Sequence, residues 1–452
     1  MGGGDPRRRG RPSRGRAAVA PAATPAVAAP DVPAGPGLPV ALADLPDDLT
    51  RGAVRWDPEA GHLLVLGGPG SGRSTALAAV ASAALAERRA VHAVNVPPDL
   101  LPHGVASALD ADDVTRVARL TRLLGAARSL NGPRPLLVVD DVGAVLAGLA
   151  PLARGAAAES LEQLWASAGG PVAVVASGPV GPATQRLAPF FADRLLLGSP
   201  DPTSDLLAGV PADLAGPRPE PGRAIHIGRN RAALCQLAVP DPCEAIDPPA
   251  SLSPTTGPRV RPLPTRVTGP LTPPPRDTGP LVAIGRGGDD AGVVAVDLSR
   301  PLLVVGPPGS GRTSALDALA RGAAAAGLHV VRPRGAADVR VDGALLVVDD
   351  LDELEATVPA FTDALAVHLA SPTTVRLVAA TTTAHAVAAF RGPVPALVRA
   401  RRLLVLDLVE PGSVDLLGPE GPWFVDPRRH PPGRGALRVG RDVVPVQVIA
   451  PD

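Results

Sequence analysis

Two glycine loops place a hydroxyl residue where a helix is expected to begin: GGPGSGRST over residues 67–75 and GPPGSGRTS over residues 306–314. In the pattern G-x-x-x-x-G-K-[ST], successive backbone N–H groups wrap phosphates, a lysine reaches the β/γ oxygens and the hydroxyl holds Mg²⁺. Gly67, Gly70, Gly72, Ser74 and Thr75 fill the first frame, and Gly306, Gly309, Gly311, Thr313 and Ser314 the second. Arg73 and Arg312 stand at the lysine position, which keeps the positive charge but replaces a compact ammonium with a planar fork. The chemistry implied is binding of ATP or ADP with Mg²⁺. The helix N-terminus favours phosphate whichever cation stands there.

Acids follow at a distance. The string LLVVDD occurs at residues 136–141 and again at 345–350. A continuous apolar run ending in acid reads as a buried parallel strand that delivers carboxylates to its C-terminal edge. Asp140 and Asp349 are placed to organise the Mg²⁺ carried by Ser74 and Thr313. Asp141 and Asp350, one position on, stand where a carboxylate orients attacking water.

These residues sit in a tandem repeat. HLLVLGGPGSGRSTALAAVA (62–81) aligns without gaps to PLLVVGPPGSGRTSALDALA (301–320), each an apolar strand, a glycine loop and an Ala/Leu-rich helix. After the acidic strand, helical stretches around 159–168 and 360–369 precede the strands PVAVVAS (171–177) and TVRLVAATT (374–382). DRLLLGSPDP (193–202) matches RRLLVLDLVEP (401–411). The halves close on the hairpins PGRAIHIGRNRAALCQLAV (221–239) and PGRGALRVGRDVVPVQVIA (432–450), with Gly228 and Gly440 as turn residues. The stretch from Arg73 to Asp140 is nearly twice as long as that from Arg312 to Asp349, and residues 112–129 fill it with an additional helix whose Val114, Val117, Leu120 and Leu124 share one face. The expected architecture is α/β: two tandem RecA-like modules, each a mainly parallel sheet flanked by helices and finished by a β-hairpin. A disordered basic Ala/Pro-rich arm occupies 1–37, the first module 38–240, a Pro-rich extended linker 241–280 and the smaller second module 281–452.

Composition narrows the function classes. All 44 basic residues are arginine, balanced by 44 acids, so no charge surplus argues for nucleic acid. Gly (49) and Pro (56) make up nearly a quarter of the chain, which calls for sizeable linkers. Two cysteines, Cys235 and Cys243, show no metal-ligand spacing and fit a reducing cytoplasm. The most apolar run, 143–158, is interrupted by Pro151 and Arg154. The eight histidines form no metal pattern, and Trp56, Trp165 and Trp423 read as packing residues.

The loops, LLVVDD, the lead-in segments VALADLPDD (40–48) and VRPLPTRV (260–267), and the closing PGR hairpins together resemble the FtsK/SpoIIIE family. The likeness is to the second and third ATPase modules of EccC-type type VII secretion proteins, over residues 38–450. Active modules of that family commonly carry glutamate where Asp141 and Asp350 stand, one methylene longer. With arginine also replacing lysine, the resemblance implies nucleotide-binding modules without fast turnover. It further implies a cytoplasmic location at the inner face of the membrane, in a homo- or hetero-oligomer. Its partners would be a catalytic ATPase module or membrane motor component, with a secreted protein or DNA as substrate. Two alternatives stand beside it: an active DNA translocase tolerant of arginine, and a protein-interaction module whose loops are fossils. Arg186, Arg194, Arg399 and Arg401, which follow the fourth strand of each half, are candidates for an arginine finger between modules.

Overall fold

The structure is a computed structural model; it describes residues 27–28, 32–45, 50–127, 132–198, 202–228, 231–239, 257–275, 281–333, 335, 338–339, 343–370, 376–426, 428 and 430–451. Most of the expected N-terminal arm and both ends of the expected linker lie outside these residues.

The first sheet contains β1 (Val27–Ala28), β2 (Leu38–Leu45), β3 (Thr50–Trp56), β4 (Leu63–Leu66), β5 (Val91–Val94), β6 (Ser107–Leu109), β7 (Leu136–Val139), β8 (Ala173–Gly178), β9 (Asp193–Leu197), β10 (Arg223–Ile227) and β11 (Ala232–Val239). Its order is β3-β2-β11-β10-β9-β4-β8-β7-β5-β6, with β1 added parallel to β11. The stretch from β9 to β6 is parallel, while β10, β11, β2 and β3 extend it as antiparallel strands. The second sheet repeats this plan with β12 (Leu281–Gly287), β13 (Gly292–Asp297), β14 (Leu302–Val305), β15 (Val330–Val331), β16 (Leu345–Val348), β17 (Arg376–Thr381), β18 (Arg402–Leu406), β19 (Arg434–Val439) and β20 (Asp442–Val448), in the order β13-β12-β20-β19-β18-β14-β17-β16-β15. Among the described residues, no strand of the second sheet corresponds to β6.

The strands that precede the two glycine loops, β4 and β14, lie in mid-sheet and are buried at every position. That is why they read as unbroken apolar runs: both faces are covered. Helices α1 (Arg73–Ala86) and α2 (Val114–Ala126) of the first module lie on opposite faces of its sheet, and α7 (Arg312–Ala325) of the second repeats the placement of α1. The remaining helices are α3 (Val142–Leu149), α4 (Ala156–Trp165), α5 (Pro182–Gln185), α6 (Pro202–Leu207), α8 (Leu351–Thr357), α9 (Pro359–Ala370), α10 (Thr383–Ala388), α11 (Val394–Arg399) and α12 (Ser413–Leu417). Each sheet therefore separates two apolar layers.

Helix α2 is the additional helix anticipated from its periodicity, and its apolar stripe is buried against α3 and α4, with Leu120 and Leu124 fully covered. Each buried leucine is worth about 1.5–3 kcal/mol relative to exposure. The opposite side of α2 carries Arg116, Arg119 and Arg122, and it faces the second module. Arg119 pairs with Asp289, and Arg122 with Glu420 while lying 4.3 Å over the Trp423 ring. Residues 257–275 run between the modules and are tied to both. Val260 is buried in the first core and its N–H donates to Ser107, while Val267 bridges Ile449 just past the end of β20 in the second sheet. No single helix among the described residues is long and apolar enough to cross a membrane.

Candidate functional site

Each glycine loop leaves the C-terminal end of a central strand and enters a helix through a left-handed glycine. Gly72 (φ 97°) and Gly311 (φ 98°) are the N-cap residues of α1 and α7, a conformation that costs glycine little and a β-carbon more. Neither cap has a side chain to satisfy the first-turn N–H groups, so both helix starts keep donors free for an anion. The loop base is tight: a β-carbon on Gly67 would come within 2.4 Å of the Ser71 hydroxyl, and one on Gly306 equally close to that of Ser310. Gly67 N–H donates to the Gly178 carbonyl at 3.2 Å and Gly306 N–H to that of Thr381 at 3.3 Å, which fixes each loop to the neighbouring strand. Gly70 and Gly309, at the loop tips, also have positive φ.

The acids arrive as the strand pattern required. Ser74 Oγ donates to Asp140 Oδ2 at 2.5 Å, and Thr313 Oγ1 to Asp349 Oδ2 at 2.8 Å. Hydroxyl and carboxylate, 66 and 36 residues apart in sequence, thus meet in both modules. Thr75 is exposed, and Ser314 is half-buried on the first turn of its helix.

The two sites differ in how their acids are held. In the first, Asp140 is buried; its Oδ1 accepts from the Ser177 hydroxyl and, at 3.0 Å, from the backbone of Asp141. Ser177 was not singled out by sequence reasoning. Its signal is the polar residue at the end of an otherwise apolar fourth strand, and in the aligned strand of the second module Ala380 takes its place. Asp141 adopts φ 49° and caps α3 by accepting from Ala144 N–H at 3.3 Å. In the second site Asp350 (φ 45°) makes no such cap and instead accepts from Arg312 Nη2 at 3.0 Å. Burial and the adjacent Asp349 raise the Asp350 carboxyl above its usual range, with Arg312 pulling the other way.

Orphaned polar atoms mark both loops. Arg73 Nη1, Arg312 Nη1 and the hydroxyls of Ser71 and Ser310 are buried without a hydrogen-bond partner. Buried donors of this kind are costly unless a ligand satisfies them, and their chemistry suits phosphate oxygens. The Ser74–Asp140 and Thr313–Asp349 pairs are hard oxygen donors of the sort that hold Mg²⁺ alongside a nucleotide's phosphates.

No family model matches the sequence, and no curated protein matches it. Solved structures do. Residues across 95% of the chain superpose on the whole of EssC ATPases 2 and 3 from Geobacillus thermodenitrificans, at a TM-score of 0.56 and 15% identity. Thermomonospora curvata EccC ATPases 2 and 3, in complex with a signal sequence peptide, match over 92% of this chain and 93% of that one, at 0.55 and 20%. The chain has this tandem ATPase-module fold. The longer cytoplasmic domain of the Thermomonospora curvata type VII secretion ATPase EccC matches at a TM-score of 0.51 and 20% identity, with this chain spanning 60% of its length.

Among the described residues, the arginine contacts that cross between the modules come from positions other than Arg186, Arg194, Arg399 and Arg401. Arg194 is engaged within its own module, donating to the Ala208 carbonyl at 3.1 Å. Arg116, Arg119, Arg122 and Arg428 make the crossing contacts instead, Arg428 with Asp112 at 3.2 Å. The i, i+3, i+6 spacing on α2 was the available signal. It stands opposite the apolar stripe, on the face that meets the second module.

Proposed function

We propose that this chain is a nucleotide-binding component of a translocation motor of the type VII secretion kind, whose modules bind Mg²⁺–ATP in a structural or regulatory capacity. The carrying observation is the doubled arrangement of an uncapped helix start behind a glycine loop, with a hydroxyl bonded to an acid on the adjacent strand. In this reading Gly67, Gly70, Gly72, Arg73, Ser74 and Thr75 receive the phosphates in the first module, and Gly306, Gly309, Gly311, Arg312, Thr313 and Ser314 in the second. Ser74 with Asp140, and Thr313 with Asp349, would hold Mg²⁺. When bound, Mg²⁺ offsets phosphate charge and fixes the polyphosphate conformation.

Turnover is expected to be slow. Asp141 caps α3 and Asp350 accepts from Arg312, each through Oδ1, so both carboxylates are drawn partly away from an attacking water. An error of about 1 Å in such a group costs on the order of 10²-fold in rate. The likeness to an EccC structure holding a signal sequence peptide supports contact with a secreted protein substrate, and with a catalytic ATPase module or membrane component of the same machine.

The test is a titration of the purified chain with a fluorescent ATP analogue, with and without Mg²⁺, alongside a phosphate-release assay. Saturable, Mg²⁺-dependent binding with little phosphate release is expected. Absence of saturable binding would favour fossil loops. DNA-stimulated hydrolysis that vanishes on Ser74→Ala or Thr313→Ala would instead establish an active translocase.

A further inference from the structure

The two glycine loops repeat each other in sequence yet differ in what occupies their arginine. Arg312 is covered, with its side chain 11% exposed, and its Nη2 is bound to Asp350 of the same module. The backbone around it is also held: Gly433 N–H, in the turn before β19, donates to the Ser310 carbonyl of the loop at 2.9 Å. A β-carbon on Gly311 would lie 3.3 Å from that same Gly433 nitrogen, so the turn that leads into β19 sits directly on the loop. In the first module Asp141 faces the N-terminus of α3 and Asp140 is held by Ser74 and Ser177; Nη1 is buried without a partner in both arginines, but among the described residues no carboxylate pairs with Arg73 as Asp350 does with Arg312.

We infer that Asp350 serves as an internal anion that occupies Arg312, so that the first glycine loop takes a nucleoside triphosphate readily and the second takes it only after Arg312 is released. This rests on the nucleotide-binding reading above. A phosphate approaching the second loop meets a carboxylate already hydrogen-bonded to the guanidinium that should receive it. It must either displace that carboxylate or bind beside it, and like charges at contact distance oppose both. At the first loop Asp141 caps α3 and Asp140 is bonded to Ser74 and Ser177, and no carboxylate is hydrogen-bonded to Arg73 among the described residues. The two sites therefore fill in order, and any event that draws Asp350 away from Arg312 opens the second.

The experiment is a titration of the full chain with N-methylanthraniloyl-ATP and Mg²⁺, with sites assigned by Arg73→Ala and Arg312→Ala. Wild type is expected to show two classes at least about tenfold apart, the tighter lost in Arg73→Ala. Asp350→Asn should tighten the weaker class until the two are within a few-fold of each other. Asp350→Ala, which removes the same anion by a different route, has to give the same gain, and Asp141→Asn should leave the gap between classes in place. Two equal classes in wild type, or a weak class unmoved by both Asp350 variants, would overturn the ordered filling while leaving nucleotide binding established. Absence of binding in wild type and in both Asp350 variants would overturn the nucleotide reading itself, and the ordered filling with it.

Discussion

Arg119 on α2 of the first module meets Asp289 of the second through two parallel bonds, Nε to Oδ1 and Nη2 to Oδ2, each 2.9 Å long. Three residues earlier, Arg116 is 1% exposed and donates to the backbone carbonyls of Arg261 and Asp289. The two arginines should contribute very differently. Arg119 and Asp289 are partly solvated, so Arg119→Ala is expected to cost less than about 1 kcal/mol. Arg116→Ala removes a buried charged donor from two part-buried carbonyls and opens the packing around it, for roughly 3 kcal/mol. Thermal melts with limited proteolysis between the modules would check this. The Arg116 variant should expose the segment around residue 261 to cleavage while Arg119→Ala does not, and equal behaviour of the two would refute the assignment.

Ser177→Ala is expected to weaken Mg²⁺-dependent nucleotide binding at the first site. The Ser177 hydroxyl holds Asp140 Oδ1 while Ser74 holds Oδ2, so its loss lets the carboxylate rotate away from the ion. Loss of one hydrogen bond to a charged group is worth about 1.5–3 kcal/mol, or roughly tenfold or more in affinity. Titration of the variant at several Mg²⁺ concentrations should show the loss as a raised Mg²⁺ requirement. An unchanged Mg²⁺ requirement would show that Ser177 plays no positioning role.

His92 is buried on β5, and burial, with Arg259 adding to it, depresses the imidazole from 6.5 to about 4. Between those values the unfolded chain binds a proton that the folded chain does not. Stability from this group is thus fully present above pH 6.5 and is lost as the pH falls toward 4. The displacement corresponds to roughly 3 kcal/mol across the window. Urea midpoints at pH 7.5 and 4.5 should diverge more for wild type than for His92→Gln, and parallel curves would count against it.

The Cys235 thiol is fully buried on β11, and burial pushes it up to about 12. A thiolate is the reactive form, so Cys235 should resist alkylation in the native state. In a Cys243→Ser background, Ellman's reagent at pH 8 is expected to find no fast-reacting thiol until denaturant is added. Rapid native labelling would indicate that β11 opens.

How much was legible in advance follows from the range of each interaction. Strand, loop and helix around Gly67 and Gly306 are local events, set by apolar runs, glycine at left-handed positions and helix formers in consecutive order, so the sequence by itself determined them. The repeat carried the same logic to LLVVDD, and Ser74–Asp140 and Thr313–Asp349 met as a parallel sheet requires. Gly440 turns its hairpin with φ 66°, as its type implies, whereas Gly228 closes the matching one through its N–H to the Arg231 carbonyl. Only the tertiary structure could decide what the remaining charges do. Arg73 and Arg312 occupy one motif position and each keeps Nη1 buried without a partner, yet only Arg312 is paired with the following acid, because Asp141 caps its own helix and Asp350 does not. Arg116 belongs to a helix whose polar face is covered by the segment 257–275 and the second module. Hydrophobic periodicity determines which face is buried within a module. The partner of a long, charged side chain depends on which distant segment folding brings within about 3 Å of it.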